Sequence, residues 1–125
     1  MNSDFLFVYG TLKRGKNSPL KHLMNLKTTY LEDVQISGKL YLVSYYPGLK
    51  LDSANTVYGE LYKITDSSII ERLDEYEGCS QNSPAPHEYR RVAIPVCTSF
   101  GTVDAWTYEY IQAVNEKDYI ESGKF

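Results

Sequence analysis

The 125-residue chain is 42% hydrophobic and has a net charge of −3, which fits one globular domain over residues 1–125 and excludes a disordered chain. It has no basic face for a nucleic-acid partner, and its longest apolar run, residues 5–9, is too short to cross a membrane. With no signal peptide and only two cysteines, which are typical of reduced thiols, the sequence predicts a cytoplasmic protein.

The first half of the chain predicts strands with one short helix. Residues 5–9 (Phe-Leu-Phe-Val-Tyr) are typical of a strand buried on both faces, which Gly10 ends. Ser18 followed by Pro19 indicates the start of a helix, because a capping hydroxyl precedes a proline suited to the first helical position. Tyr45-Tyr46-Pro47-Gly48 predicts a turn. Further strands are predicted over residues 30–36, 38–43 and 56–64.

The second half predicts the longest helix and a hairpin. The helix covers residues 66–76, where Ser68 and Glu71 have capping-box spacing, and Gly78 stands where a C-terminal cap belongs. The proline-containing segment 79–88 predicts a loop. It is followed by a strand over 89–97 that Pro95 marks as an edge or a bulge, a hairpin turn at 98–101 and a last strand over 102–111.

About six strands and two or three short helices predict an α+β fold. A small, mixed but mostly antiparallel β-barrel with flanking helices is expected, because closure hides the edges of so many strands.

Glu77 is the most informative acid of the second helix. Ile70, Leu73 and Glu77 are spaced i, i+3 and i+7 and so share one face, whereas Glu71, Asp74 and Glu75 are expected to turn to the other side. Partial burial and the negative end of the helix dipole would both raise the pKa of Glu77, as a general acid or base near neutral pH requires. The alternative is a structural acid that pairs with Arg90 or Arg91.

The turn Tyr9-Gly10-Thr11-Leu12 is the second candidate site. A buried strand that ends in glycine can present consecutive backbone N–H groups to a ligand, and such donors suit a carboxylate or an oxyanion. The alternative is an ordinary turn.

The remaining residues that could take part in catalysis or binding give weaker evidence for a site. Tyr108 and Tyr110 share a face with Trp106, where core packing is the commoner use of a tyrosine. Cys79 follows a helix C-terminus, where the dipole does not favour a thiolate, so no catalytic role is expected for it. The cysteines and histidines lack zinc spacing, and no metal is predicted.

Taken together, the motifs resemble those of the γ-glutamylcyclotransferase-like family, and most closely its short branch, which includes γ-glutamylaminecyclotransferases. The resemblance runs in order along nearly the whole chain. The segments that carry it are Tyr9-Gly10-Thr11-Leu12-Lys13-Arg14-Gly15, Gly38-Lys39-Leu40-Tyr41, Tyr46-Pro47-Gly48-Leu49, Val57-Tyr58-Gly59-Glu60-Leu61-Tyr62, Leu73-Asp74-Glu75-Tyr76-Glu77-Gly78, Tyr89-Arg90-Arg91, Ala105-Trp106-Thr107-Tyr108-Glu109-Tyr110 and Ser122-Gly123-Lys124-Phe125.

The resemblance implies a small β-barrel enzyme that needs no cofactor and releases 5-oxoproline from a γ-glutamyl amine, amide or amino acid. It implies that Glu77 is the catalytic acid/base and that Tyr9, Gly10, Thr11 and Leu12 hold the substrate. Tyr89 and Tyr110 match family tyrosines near the pocket, and residues 79–87 are expected to border it. The competing hypothesis is a non-catalytic small-molecule binding module that uses the same pocket.

Overall fold

The computed structural model describes residues 4–125, so the first three residues of the predicted domain lie outside the described residues. This part of the chain forms seven strands, two α-helices and one 3₁₀ turn. In chain order they are β1 (Phe5–Val8), α1 (Lys21–Lys27), β2 (Thr28–Ser37), β3 (Lys39–Leu42), β4 (Pro47–Lys50), β5 (Thr56–Ile64), α2 (Ile69–Tyr76), β6 (Tyr89–Thr98), β7 (Gly101–Tyr110) and the 3₁₀ turn (Glu116–Asp118).

The strands form one sheet in the order β2-β5-β1-β7-β4-β3, and β6 also pairs with β7. The β1–β7 and β4–β7 pairs are parallel, whereas the other pairs are antiparallel. The sheet curls until β2 meets the β6–β7 hairpin, where the Glu32 carboxylate accepts hydrogen bonds from the main-chain N–H of Ser99 (2.8 Å) and from its hydroxyl. The predicted α+β class and the mixed, mostly antiparallel barrel with short helices are confirmed.

The central strand β1 is buried on both faces, as its continuous apolar sequence predicts. Leu6, Phe7 and Val8 are each at most 4% exposed. Leu6 and Val8 pack into the core cluster that also contains residues of both helices, whereas Phe7 packs into the second cluster on the opposite face. The carboxyl end of β1, where the Tyr9–Leu12 turn begins, is therefore held firmly in the middle of the sheet.

One strand differs from the sequence prediction, and in another the predicted alternatives of an edge or a bulge resolve to an edge. Pro47 and Gly48 belong to β4 rather than to a turn, which is possible because Pro47 is the first residue of the strand. Pro95 lies in β6, which pairs with β7 in continuous register, so it marks an edge strand without a bulge.

The start of α2 also differs from the prediction, since the helix begins at Ile69 rather than at residue 66. Ser68 already has helical dihedral angles and its side chain makes no cap. Its main-chain N–H instead donates to the Asp66 carboxylate (3.0 Å), and its hydroxyl accepts from the Lys27 ammonium (2.7 Å). Neither helix within residues 4–125 is long and apolar enough to span a bilayer.

Candidate active site

A cavity of about 300 Å³ opens where the end of β1, the end of α2 and the β3–β4 connection meet. Its volume is at the lower end of the range for small-molecule sites. The structure brings together six of the seven residues that the sequence singled out. The lining residues are Phe7, Val8, Tyr9, Gly10, Thr11, Leu12, Tyr45, Tyr46, Pro47, Tyr76, Glu77, Gly78, Glu88, Tyr89, Thr107 and Tyr108.

The turn after β1 offers unused main-chain donors. Its carbonyl at Gly10 accepts from the N–H of Lys13 (3.1 Å), but no described residue accepts a hydrogen bond from the N–H of Gly10, Thr11 or Leu12. Gly10 is needed for close approach rather than for an unusual φ, because a Cβ atom there would lie 2.8 Å from Cγ of Pro47.

Glu60 anchors the loop that follows this turn. Its carboxylate, on the buried part of β5, accepts hydrogen bonds from the main-chain N–H of Arg14 (2.9 Å) and from the Arg14 Nε (3.1 Å). The Tyr62 hydroxyl donates to the same carboxylate (2.9 Å). At only 8% exposure, Glu60 needs these partners, since a buried charge without them is costly.

The side chain of Tyr9 stabilises the fold, because its hydroxyl is hydrogen-bonded to main-chain groups and is not free to bind a ligand. The hydroxyl donates to the main-chain carbonyl of Tyr108 (2.6 Å) and accepts from the N–H of Leu49 (3.2 Å). Burial raises the pKa of Tyr9 well above its usual value, and the negative charge of Glu77 raises it further. Any contact of Tyr9 with a substrate therefore falls chiefly to its main chain.

The end of α2 fixes the position of Glu77. Gly78 adopts a positive φ of 72°, and its N–H donates to the carbonyl of Glu75 (3.1 Å) while the N–H of Cys79 donates to that of Asp74 (2.9 Å). This pair of bonds is a Schellman motif, which confirms the predicted glycine cap. Glu77 is the last residue before that glycine and faces the cavity at a defined point.

The Glu77 carboxylate has no basic partner within residues 4–125. Arg90 pairs with Glu109 (2.9 Å) and Arg91 pairs with Asp74 (3.0 Å), so the alternative of a structural ion pair for Glu77 is wrong. No described residue donates a hydrogen bond to this carboxylate.

The surroundings of Glu77 make it a weak acid. Burial, and then the negative charge of Glu88, raise its pKa from 4.5 to about 7. At neutral pH such a carboxyl group exchanges its proton readily in either direction, which is the property that a general acid/base needs.

Asp74 does not turn away from the sheet as the periodicity predicted. Its carboxylate accepts from the Tyr108 hydroxyl (2.6 Å) and from the Arg91 Nε (3.0 Å), and its side chain is only 18% exposed. The reason is that Asp74 directly follows Leu73, the centre of the buried face, so it lies on the flank of that face. The network ties α2 to β6 and β7.

Several lining residues were missed as site residues. The Tyr46 hydroxyl donates to the Glu88 carboxylate (2.9 Å), and the hydroxyls of Tyr76 and Thr11 share a hydrogen bond (2.9 Å) that joins α2 to the turn after β1. Tyr46 stands in one of the segments that carried the family resemblance. No sequence pattern marks Glu88.

The two predicted tyrosines differ in position. Tyr89 lines the cavity, and its hydroxyl donates to the main-chain carbonyl of Pro47 (2.7 Å). Tyr110 is not among the lining residues and packs edge-on behind Tyr89, with ring centroids 5.2 Å apart. The expectation for residues 79–87 is wrong, because none of them lines the cavity, although Gly78 before the segment and Glu88 after it do.

The thiols and possible metal ligands lie apart from this chemistry. Burial raises the pKa of the Cys79 thiol to about 11, so at neutral pH it stays protonated and is a poor nucleophile. Within residues 4–125, no three His, Cys, Asp or Glu side chains cluster in a way that could hold a metal ion.

The comparison with protein families now decides the assignment. The family model described as "Gamma-glutamyl cyclotransferase, AIG2-like" matches residues 6–125. The chain belongs to this family. The resemblance seen in the motifs is thereby confirmed, and a cyclotransferase-type enzyme is the activity class that this gamma-glutamyl cyclotransferase family indicates.

Individual relatives agree with the family assignment. The gamma-L-glutamyl-butirosin B gamma-glutamyl cyclotransferase of Niallia circulans is 34% identical over 118 residues, which are 94% of this chain and 70% of that protein. The solution structure of the ytfP protein from Escherichia coli is 33% identical, with a TM-score of 0.67, and the match covers 97% of this chain and 95% of that one. An AIG2-like protein from Mus musculus, at 23% identity, shares the fold with a TM-score of 0.78 over 100% of this chain and 89% of that one.

Proposed function

We propose that this family member is an enzyme that releases 5-oxoproline from a γ-glutamyl amine or amide, with Glu77 as the general acid/base. The observation that carries the proposal is Glu77 itself. This carboxyl group has no basic partner among the described residues, its pKa is raised to about 7, and it lies in one cavity with the Tyr9–Leu12 turn.

The reaction begins with a proton transfer from the substrate. The α-ammonium group of the γ-glutamyl moiety carries a proton that its nitrogen must lose before it can attack the γ-carbonyl carbon. Glu77 takes this proton, and a new C–N bond closes the five-membered ring. The attack is intramolecular, so a cavity that folds the glutamyl chain supplies much of the rate enhancement by orientation.

The second step needs the same proton at a different nitrogen. The tetrahedral intermediate collapses by breaking the original C–N bond, and Glu77 donates its proton to the departing amine. The ring nitrogen still carries two hydrogens after the attack, and it gives up one of them as a proton to the departing amine. The products are 5-oxoproline and the protonated amine, and Glu77 returns to its starting ionisation state. A pKa of about 7 suits both directions, because neither proton transfer is then strongly uphill.

The unused N–H groups of Gly10, Thr11 and Leu12 are the proposed holders of negative charge. They suit either the α-carboxylate of the substrate or the oxyanion of the intermediate, since backbone donors in a fixed turn need no rearrangement during the reaction. Within the cavity lining no lysine, arginine or histidine is available for this task. Tyr9 and Tyr89 contribute walls, and Tyr110 is proposed to support the substrate site from behind Tyr89.

A panel of γ-glutamyl compounds tests the proposal. Purified protein is incubated with γ-glutamyl amines, γ-glutamyl amides and γ-glutamyl amino acids, and 5-oxoproline is measured by chromatography. Release from at least one class, well above the uncatalysed rate, is expected. Binding without any release across the panel would contradict the proposal and support the binding-module hypothesis.

A further inference from the structure

Glu88 is the second carboxylate of the cavity, and the proposed chemistry does not use it. Of the sixteen described residues that line the cavity, none is basic and six are tyrosines. The cavity is therefore acidic and aromatic, and this composition favours a positively charged ligand.

The two carboxylates of the cavity share an unusual feature. The half-buried acids Asp74 and Glu109 are each paired with an arginine, Arg91 and Arg90, whereas Glu88, like Glu77, has no basic partner among the described residues. Among the described residues, Glu88 has only the Tyr46 hydroxyl, at 2.9 and 3.0 Å from its two oxygens. A carboxylate has about four acceptor positions, so one donor leaves Glu88 with most of its capacity unused.

Tyr46 keeps its proton and so holds Glu88 in place at neutral pH. Burial, together with the hydrogen bond to Glu88, raises the pKa of the Tyr46 hydroxyl to about 12. The hydroxyl thus remains a donor and fixes the direction of the carboxylate without neutralising its charge.

Two exposed aromatic rings line the same cavity as this carboxylate. Tyr45 is 83% exposed and packs edge-on against Tyr46, with ring centroids 5.2 Å apart and planes at 88°. Tyr76, at the end of α2, is 36% exposed and also lines the cavity. Such rings attract ammonium groups through their negative faces. A leaving group that carried a carboxylate would instead bring a third negative charge beside Glu77 and Glu88.

We propose that Glu88, held by Tyr46, selects γ-glutamyl compounds whose leaving amine carries a second positive charge. The substrate class is then a γ-glutamylated diamine or polyamine-like compound, in which one nitrogen forms the scissile bond and another remains an ammonium group. This inference rests on the proposed function and adds to it the residue that determines specificity for the leaving amine.

Two substrates of nearly equal shape test the selection. The γ-glutamyl derivatives of 1,5-diaminopentane and of hexylamine differ only in whether the distal end is an ammonium or a methyl group. For the wild-type protein, kcat/KM is expected to be about tenfold higher for the ammonium compound, within the range that one hydrogen bond to a charged group supplies. In the Glu88→Gln variant the ratio should fall close to one.

The ratio of the two substrates within one variant cancels any general effect on folding or on the shared chemistry. Glu75→Gln is the matched control, because it removes an exposed α2 carboxylate (62% exposed) that does not line the cavity, and its ratio should equal that of the wild type. Tyr46→Phe, which removes the only described donor to Glu88, should lower the ratio, and it replaces Glu88→Gln if that variant does not fold.

The outcomes separate this inference from the proposed function. Equal kcat/KM for the two substrates in the wild type, or a ratio that Glu88→Gln and Tyr46→Phe leave unchanged, would overturn the selection by Glu88. Absence of 5-oxoproline from both substrates and from the wider panel would instead overturn the cyclotransferase proposal, and the selection with it.

Discussion

Replacing Glu77 by glutamine should stabilise the folded protein at alkaline pH. In the folded state the pKa of Glu77 is about 7 against an ordinary value of 4.5, so folding favours the protonated form. The resulting stabilisation is fully present below pH 4.5 and is lost as the pH rises through about 7. The gap of about 2.5 units between the two pKa values corresponds to about 3.5 kcal/mol, at about 1.4 kcal/mol per pH unit. This is an upper limit, because the cavity is open to water.

Glutamine has the shape of the protonated acid and never ionises, so the variant avoids this loss. Its free energy of unfolding should match that of the wild type near pH 4 and exceed it by about 2–3 kcal/mol at pH 9. Urea unfolding followed by circular dichroism across this pH range measures the difference, and Glu75→Gln, at an exposed position of the same helix, is the matched control. A difference that did not grow between pH 4.5 and 8 would refute the idea that Glu77 is a desolvated acid.

Three further predictions follow from the same site. If Glu77 is the base, kcat/KM should fall on the acid side with a midpoint near its pKa of about 7, and a limb near 4.5 in the pH–rate profile would argue for an ordinary solvated carboxylate. Gly10→Ala should raise KM more than it lowers kcat, because the new Cβ would lie 2.8 Å from Pro47 and displace the turn; steady-state kinetics with an unchanged KM would count against it. Glu60→Gln should cost about 1–3 kcal/mol in urea unfolding and raise KM, since the carboxylate that holds Arg14 is lost, and a stable variant with normal KM would show that this anchor is dispensable.

The sequence was most informative where a local pattern has a single physical explanation. The apolar run 5–9 predicted a strand buried on both faces, because no polar residue interrupts it. Gly78 after a helix predicted the left-handed cap, and the spacing of Glu77 from Leu73 predicted a partly buried acid. These short-range signals were enough to predict the two parts of the candidate site, which are the turn after residue 9 and Glu77.

What the sequence could not provide depends on partners that are distant along the chain. Pro47 looked like a turn residue because its role as the first residue of β4 depends on pairing with β3 and β7. Asp74 looked exposed because its partners, Tyr108 and Arg91, lie on other strands. Glu88 precedes β6 without any pattern, and only the fold places it beside Tyr46.

The most direct test of the account separates binding from turnover at Glu77. With an active γ-glutamyl substrate, Glu77→Gln should lower kcat by about 10²–10⁴-fold, the usual contribution of a general base, while Glu75→Gln remains close to the wild type. Titration calorimetry with a non-cyclising γ-glutamyl analogue should find that Glu77→Gln still binds, because the main-chain donors of the Tyr9–Leu12 turn are intact. A Glu77→Gln protein with normal turnover, or one that loses binding and turnover together, would contradict the assignment of proton transfer to Glu77.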